Sequence, residues 1–299
     1  MENCQVSVKK SQSDTPTKEY DSGLRVIDPS RCITLESDKE PLLIINIVLQ
    51  TAFLKSCPKP KSLLLIAKSG IGKSRLLSPL SRLDFVSYVN DITPKYLVEF
   101  LKRAKIGEKK FLVIPDYTSC LSHGVNTRNT LNAILRSMTE EGVSDLSDYH
   151  LEFQSDTPVR AGLLTAITTA SYAMFRESWK TTGFLSRLIP VSFDHSVATK
   201  EKIMDTIDAR LPDVIDKVKL EVKKRPGTVE CPENLLRQLR QIEENLALHS
   251  GSLPYRHQIQ LNALTESLAV MRNHAAVTQE DIDTISYLSN WINYDFNPL

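Results

Sequence analysis

Apolar residues fall along the chain in short continuous runs separated by polar, glycine- or proline-marked loops, the pattern of strands buried on both faces of a parallel sheet. Residues 63–67 (LLLIA) form the clearest run; Gly70 and Gly72 then break it, and Lys73-Ser74 opens a helix. Runs at 85–89, 111–116, 163–169 and 191–193 predict further strands. Residues 42–55 are apolar on all sides and read as a helix buried against the sheet. Thr93-Pro94 caps a helix over 95–104, and Leu131, Ile134, Leu135 and Met138 give helical spacing to 128–138.

From about Ser196 onward only helical patterns follow, at 200–209, 211–224, 232–248, 256–273 and 278–294. Thr278-Gln279-Glu280-Asp281 is a capping signal for the last, with Val277 as its staple. The change divides the chain into a polar, mobile leader (1–30), an α/β core (31–196) and an all-helical domain (197–299).

The turn after the first strand is built for phosphate. Gly70 and Gly72 take backbone angles closed to other residues and let the chain approach a polyphosphate, so that Ser69, Gly70, Ile71, Gly72, Lys73, Ser74 and Arg75 line a nucleotide. Lys73 neutralises the terminal phosphates and the Ser74 hydroxyl binds Mg²⁺. The motif G-x-x-x-x-G-K-[ST] is matched except at its first position, Ala67, which contributes no phosphate contact. Asp116 ends an apolar strand about 40 residues later, and in a parallel sheet such strand ends share the edge that holds the phosphate loop. A magnesium position at Asp116, reached through water, follows.

Composition narrows the class. With 299 residues, 41% of them apolar, the chain has room for one core and a smaller domain, and no apolar run is uninterrupted enough to span a membrane. Thirty-seven Lys and Arg against 36 Asp and Glu leave +1, so any nucleic-acid surface must be local. Lys95, Lys102, Arg103, Lys105, Lys109 and Lys110 form the most basic stretch, either a solvated helix face and loop or a patch facing nucleic acid. Five scattered cysteines without metal-ligand spacing fit reduced thiols in the cytoplasm.

Taken together, AKSGIGKS, FLVIPD, the helix ending SMTEEG, the strand LLTAITT, the segment GFLSRL and the C-terminal RHQIQLNALTESLAVMRNHAAVTQEDI resemble an AAA+ P-loop ATPase. They are most similar to the minichromosome maintenance helicases and to the MCM-like or MoxR-like ATPases of viruses and mobile elements. The resemblance covers about residues 40–294. It implies a parallel αβα sandwich with a C-terminal all-helical lid, ATP and Mg²⁺ as cofactors, and a ring of identical subunits with nucleotide at the interfaces, acting on DNA.

By the same resemblance Lys73 and Ser74 match the Walker A lysine and hydroxyl, Asp116 the Walker B aspartate, and Thr168 the sensor 1 position. Arg187 matches the arginine finger that acts on a neighbour's nucleotide, and Arg256 falls at sensor 2. Each has a plainer alternative: an ordinary ion pair for Arg187, a helix-start residue for Arg256, packing for Thr168. After Asp116 the family has a water-activating glutamate, whereas this chain has Tyr117. Either Asp116 does that work with Pro115 in the metal-side place, or Glu140 or Glu141 approaches, or hydrolysis is slow. In the last case the protein is a MoxR-like or STAND-like nucleotide-gated switch that remodels a protein partner.

Overall fold

The computed structural model describes residues 38–296 except 149–150, 211–214, 216–217, 225–226, 251–254 and 295; the expected leader 1–30 lies outside them. The chain runs α1 (Lys39–Gln50), β1 (Ser62–Ala67), α2 (Lys73–Leu77), β2 (Val86–Tyr88), α3 (Pro94–Lys105), β3 (Phe111–Ile114), α4 (Thr118–Leu121) and α5 (Val125–Thr139). It continues through β4 (Val143–Asp148), β5 (Leu151–Val159), β6 (Gly162–Thr168), α6 (Thr169–Thr181), β7 (Leu188–Ser192), α7 (Val197–Asp208), α8 (Glu233–Ser250), α9 (Tyr255–Met271) and α10 (Gln279–Leu288). No described helix is long and apolar enough to cross a membrane.

Five strands pair in parallel in the order β2-β3-β6-β1-β7, an α/β architecture compatible with a P-loop nucleotide-binding fold. Every residue of β1 is buried, and its side chains alternate between two cores. Leu63, Leu65 and Ala67 join α1 and residues of α8, α9 and α10; Leu64 and Ile66 join α3, α5 and α6. The sheet is therefore a middle layer, and Leu64→Ala would cost about 2–5 kcal/mol. Pro190, which cannot donate to a ladder, is tolerated because β7 lies at the sheet edge.

The late helices share this packing. Leu261, Leu264 and Leu268 of α9 lie in the same core as Ile44, Ile47 and Val48 of α1. The capping box forms as the sequence indicates, with the Thr278 backbone N–H donating to Asp281 Oδ2 and Val277 buried beside it.

Three elements differ from the sequence reading. The β4–β5 hairpin, an antiparallel insertion before β6, was not anticipated. Neither was α6, capped by Thr168. Within the expected helix 211–224, the described residues 218–224 form no helix. Val218, Leu220 and Val222 have the two-residue period of extended chain and pack on the core, while the Gln50 amide brackets the Lys223 backbone through Nε2 to its carbonyl (3.0 Å) and Oε1 from its N–H (2.8 Å).

Candidate functional site

The turn between β1 and α2 is held open by two left-handed glycines, Gly70 at φ +80° and Gly72 at φ +93°. A side chain at either position is strained by about 1–2 kcal/mol. Lys68, Ser69, Gly70 and Ser74 are exposed, whereas Lys73 is buried and folds back into the turn, its Nζ donating to Ala67 O (3.0 Å) and Lys68 O (2.7 Å). Its ammonium thus rests on dipoles. Burial pulls the Lys73 pKa down and the charge of Asp116 opposes that pull. A buried cation beside an exposed glycine turn is the donor chemistry that a phosphate would complete.

The Ser74 hydroxyl donates to Pro115 O at 3.2 Å, which joins α2 to the end of β3 and brings Ser74 beside Asp116. Asp116 is exposed, and its Oδ1 accepts the Thr118 N–H at 3.0 Å. Ser74 thus meets residue 115 itself, and Asp116 stands one residue beyond it. The residues that would hold a divalent cation there are Ser74, through its hydroxyl, and Asp116, through its carboxylate. Among the described residues no group of three or more His, Cys, Asp or Glu could hold a metal by itself.

Tyr117 turns away from this edge. It is 1% exposed, its hydroxyl donates to Asn132 Oδ1 (2.7 Å), and its ring packs on Trp179 and Phe184 with centroids 5.6 and 6.0 Å away. Burial raises its pKa well above that of an ordinary phenol. Glu140 and Glu141 are excluded as well. Glu140 pairs with Lys59 and Glu141 with Arg187 at the opposite, amino-terminal edge of the sheet. Of the carboxylates the sequence offered as water activators, Asp116 alone stands at the phosphate loop.

Thr168 lies directly beside Ala67 in the β1–β6 pairing. Its hydroxyl accepts the Ser171 N–H (3.1 Å) and bonds Ser171 Oγ (3.0 Å), so it caps α6 at the loop's edge. Arg75 is drawn off the turn into an ion pair with Asp38 at the start of α1.

Arg187 and Arg256 stand away from the turn, at the other edge of the sheet. Arg187 precedes Leu188, which pairs with Ser62 at the start of β1. From Ser62 to Ala67 the strand advances five residues, about 17 Å, so Arg187 is a sheet's length from its own phosphate loop. Its guanidinium donates to Gly183 O (2.6 Å) and to Glu141 Oε1 (2.8 Å), and its side chain is 10% exposed. Arg256 is there too, bonded through Nη1 to Ser186 Oγ. Burial alone would raise the Glu141 pKa, but a backbone bond and the Arg187 and Arg256 charges together hold it low. Neither arginine reaches the nucleotide position of its own chain; the two share one patch.

One contact escaped the sequence reading. His195, just beyond β7, is buried with Nε2 3.0 Å from Ile71 O; since a carbonyl only accepts, that nitrogen carries the proton. Neighbouring Asp194 pairs with Lys68 at 2.9 Å. The chain leading into α7 is thereby clasped to the phosphate loop. The partners are over 120 residues apart, and no local pattern signals the contact. No protein-family model matches the chain, and no curated protein is significantly similar to it.

Proposed function

We propose that the chain is an ATP-binding and hydrolysing AAA+ motor that works as a multi-subunit assembly on DNA, with 197–299 as its lid. The carrying observation is a division of labour between two edges of one sheet. Lys73, Ser74, Asp116 and Thr168 meet at the carboxyl edge, where ligands of open α/β sheets bind. Arg187 and Arg256 meet at the amino edge. Cations that the loop lacks for the developing charge on the γ-phosphate then come from a second copy, and such a residue raises rate by roughly 10³–10⁵.

In this reading Mg²⁺ and Lys73 supply the charge that stabilises the triphosphate. The Gly70–Gly72 turn orients it, and Ser74 fixes the cation. Asp116, the exposed carboxylate at this edge, accepts the proton of the attacking water. Free Cys57, Cys120 and Cys231 suit a reducing, cytoplasmic setting.

The test is complementation. Lys73→Ala cannot hold nucleotide yet supplies Arg187; Arg187→Ala holds nucleotide yet lacks the finger. A mixture should hydrolyse ATP well above either protein alone, and a mixture no better than the sum of its parts removes the trans arrangement.

A nucleotide-gated switch acting on a protein partner is the second reading, and the β4–β5 hairpin favours it. The exposed face of that hairpin carries Asp145, Glu152 and Asp156, and residues 140–159 contain no Lys or Arg. Such a face repels phosphodiester. The second reading expects ATP binding with slow turnover that polynucleotides do not stimulate.

A further inference from the structure

The basic stretch 95–110 does not stay together in the fold. Lys102 and Arg103 remain on the outer face of α3, paired with Glu99 and Glu108. Lys109 and Lys110 turn instead onto the amino edge of the sheet, where the Lys110 N–H donates to Phe85 O and Lys110 O accepts from Gly162 N–H. There they meet lysines from two distant parts of the chain.

Lys109 Nζ donates to Asp84 O (2.6 Å) and Val86 O (2.8 Å). Lys110 Nζ lies 5.3 Å from the Phe53 ring centre, and Lys224 Nζ lies 5.9 Å from that of Phe85 while pairing with Asp84 at 2.5 Å. The two rings meet edge to face, 5.2 Å between centres, so the ammonium groups surround one small aromatic floor. Lys55 is fixed alongside by its N–H to Gly227 O (3.0 Å), and Lys223 follows on the strap that Gln50 brackets. An open cavity of about 520 Å³ adjoins them, lined by Lys223, Lys224, Thr228, Asn273 and His274. Burial lowers the Lys223 pKa against the pull of Glu221, a cost that a bound anion would relieve.

We propose that this edge is a phosphodiester-binding surface on which Lys55, Lys109, Lys110, Lys223 and Lys224 contact the backbone of a nucleic acid. The inference rests on the nucleic-acid half of the proposed function and not on its nucleotide half. Five ammonium groups drawn from three separate parts of the chain face Asp84 and Glu221, with Glu266 beside Ser56 at the Lys55 end, leaving a surplus of about two charges where the whole chain has almost none. The surface lies at the edge opposite the phosphate loop, so a polymer bound there leaves the triphosphate site open. The contacts are to phosphate and carry no sequence preference.

The experiment is anisotropy of labelled single- and double-stranded DNA and RNA oligonucleotides with the full chain, titrated between about 50 and 200 mM salt. Because neighbouring carboxylates already offset part of the charge of the five lysines, about three phosphates are neutralised, which predicts a log–log slope of about −2 to −3. Lys55→Ala with Lys224→Ala should weaken binding about tenfold and flatten the slope by about 1.5 to 2. Asp84→Asn, which removes a charge that competes with phosphate, should tighten it. Lys95→Ala with Lys102→Ala on α3 should change nothing. The arms with DNA and RNA tell which backbone is taken. The proposal falls if no oligonucleotide binds, if the Lys55/Lys224 variant binds as the parent does, or if Asp84→Asn fails to tighten binding. ATP affinity of the same variants, read in parallel, should equal the parent's; a chain that binds oligonucleotide here but no ATP keeps this surface and loses the motor.

Discussion

Replacing Tyr117 by glutamate separates two accounts of the proposed hydrolytic site. If residue 117 faced the γ-phosphate, Tyr117→Glu would place a water-activating acid there and speed hydrolysis. The geometry says the opposite. Tyr117 is 1% exposed, packs against Trp179 and Phe184, and bonds Asn132. The hydroxyl bond contributes about 0.5–1.5 kcal/mol and each aromatic contact about as much again. A carboxylate in the same place adds a desolvation cost of several kcal/mol or stays protonated. The total, about 4 kcal/mol or more, is a large share of a stability of about 5–15 kcal/mol. Tyr117→Phe isolates the hydroxyl and should lose about 1 kcal/mol. Urea denaturation of parent, Tyr117→Phe and Tyr117→Glu gives the stabilities, and ATP turnover per folded molecule gives the rates. The expected result is a mildly destabilised Phe variant with parental turnover and a Glu variant that is badly destabilised and no faster. A stable, faster Tyr117→Glu would refute the reading and return the water activator to position 117.

Further outcomes follow from the same geometry. Asp116→Asn should cut ATP turnover at least a hundredfold while a non-hydrolysable analogue still binds, checked by phosphate release against analogue titration. Gly183→Ala sets a Cβ 2.9 Å from Arg187 Nη1 at φ +71°, so it should cost about 1–2 kcal/mol in denaturant and lower turnover with ATP affinity kept. His257 is 3% exposed, stacked on Tyr294 at 3.7 Å, and burial lowers its pKa to about 4. The unfolded chain therefore binds more protons between about 4 and 6.5; this stability is complete above 6.5 and is lost as pH falls toward 4, about 3 kcal/mol at most. Urea midpoints at pH 7 and pH 4.5 should show that slope, and His257→Phe should flatten it.

The sheet was legible because strands buried on both faces leave unbroken apolar runs, as at 63–67 and 111–114. The phosphate loop was legible for a related reason: two glycines bracketing one residue before Lys-Ser have few other uses. Errors arose where the period was two rather than 3.6. Leu151-Glu152-Phe153-Gln154 alternates as a half-buried strand, and Val218, Leu220 and Val222 alternate where a helix was expected. Strand ends of a parallel sheet share one edge, and Ser74, Asp116 and Thr168 lie together on it. Partners were not legible. Nothing local tells that Arg187 pairs with Glu141, that Arg256 stands beside it instead of over its own loop, or that Lys224 joins Lys110 across more than a hundred residues.

The proposed function requires a triphosphate held over the Gly70–Gly72 turn by a lysine that now rests on carbonyl oxygens. Calorimetric titration of the full chain with a non-hydrolysable ATP analogue and Mg²⁺, for the parent and for Lys73→Ala, tests it most directly. Saturable one-to-one binding by the parent, weakened at least a hundredfold in a folded Lys73→Ala protein and declining at alkaline pH as the depressed Lys73 ammonium loses its proton, is the predicted result. Absence of binding to the parent, or equal binding by both proteins, would contradict it.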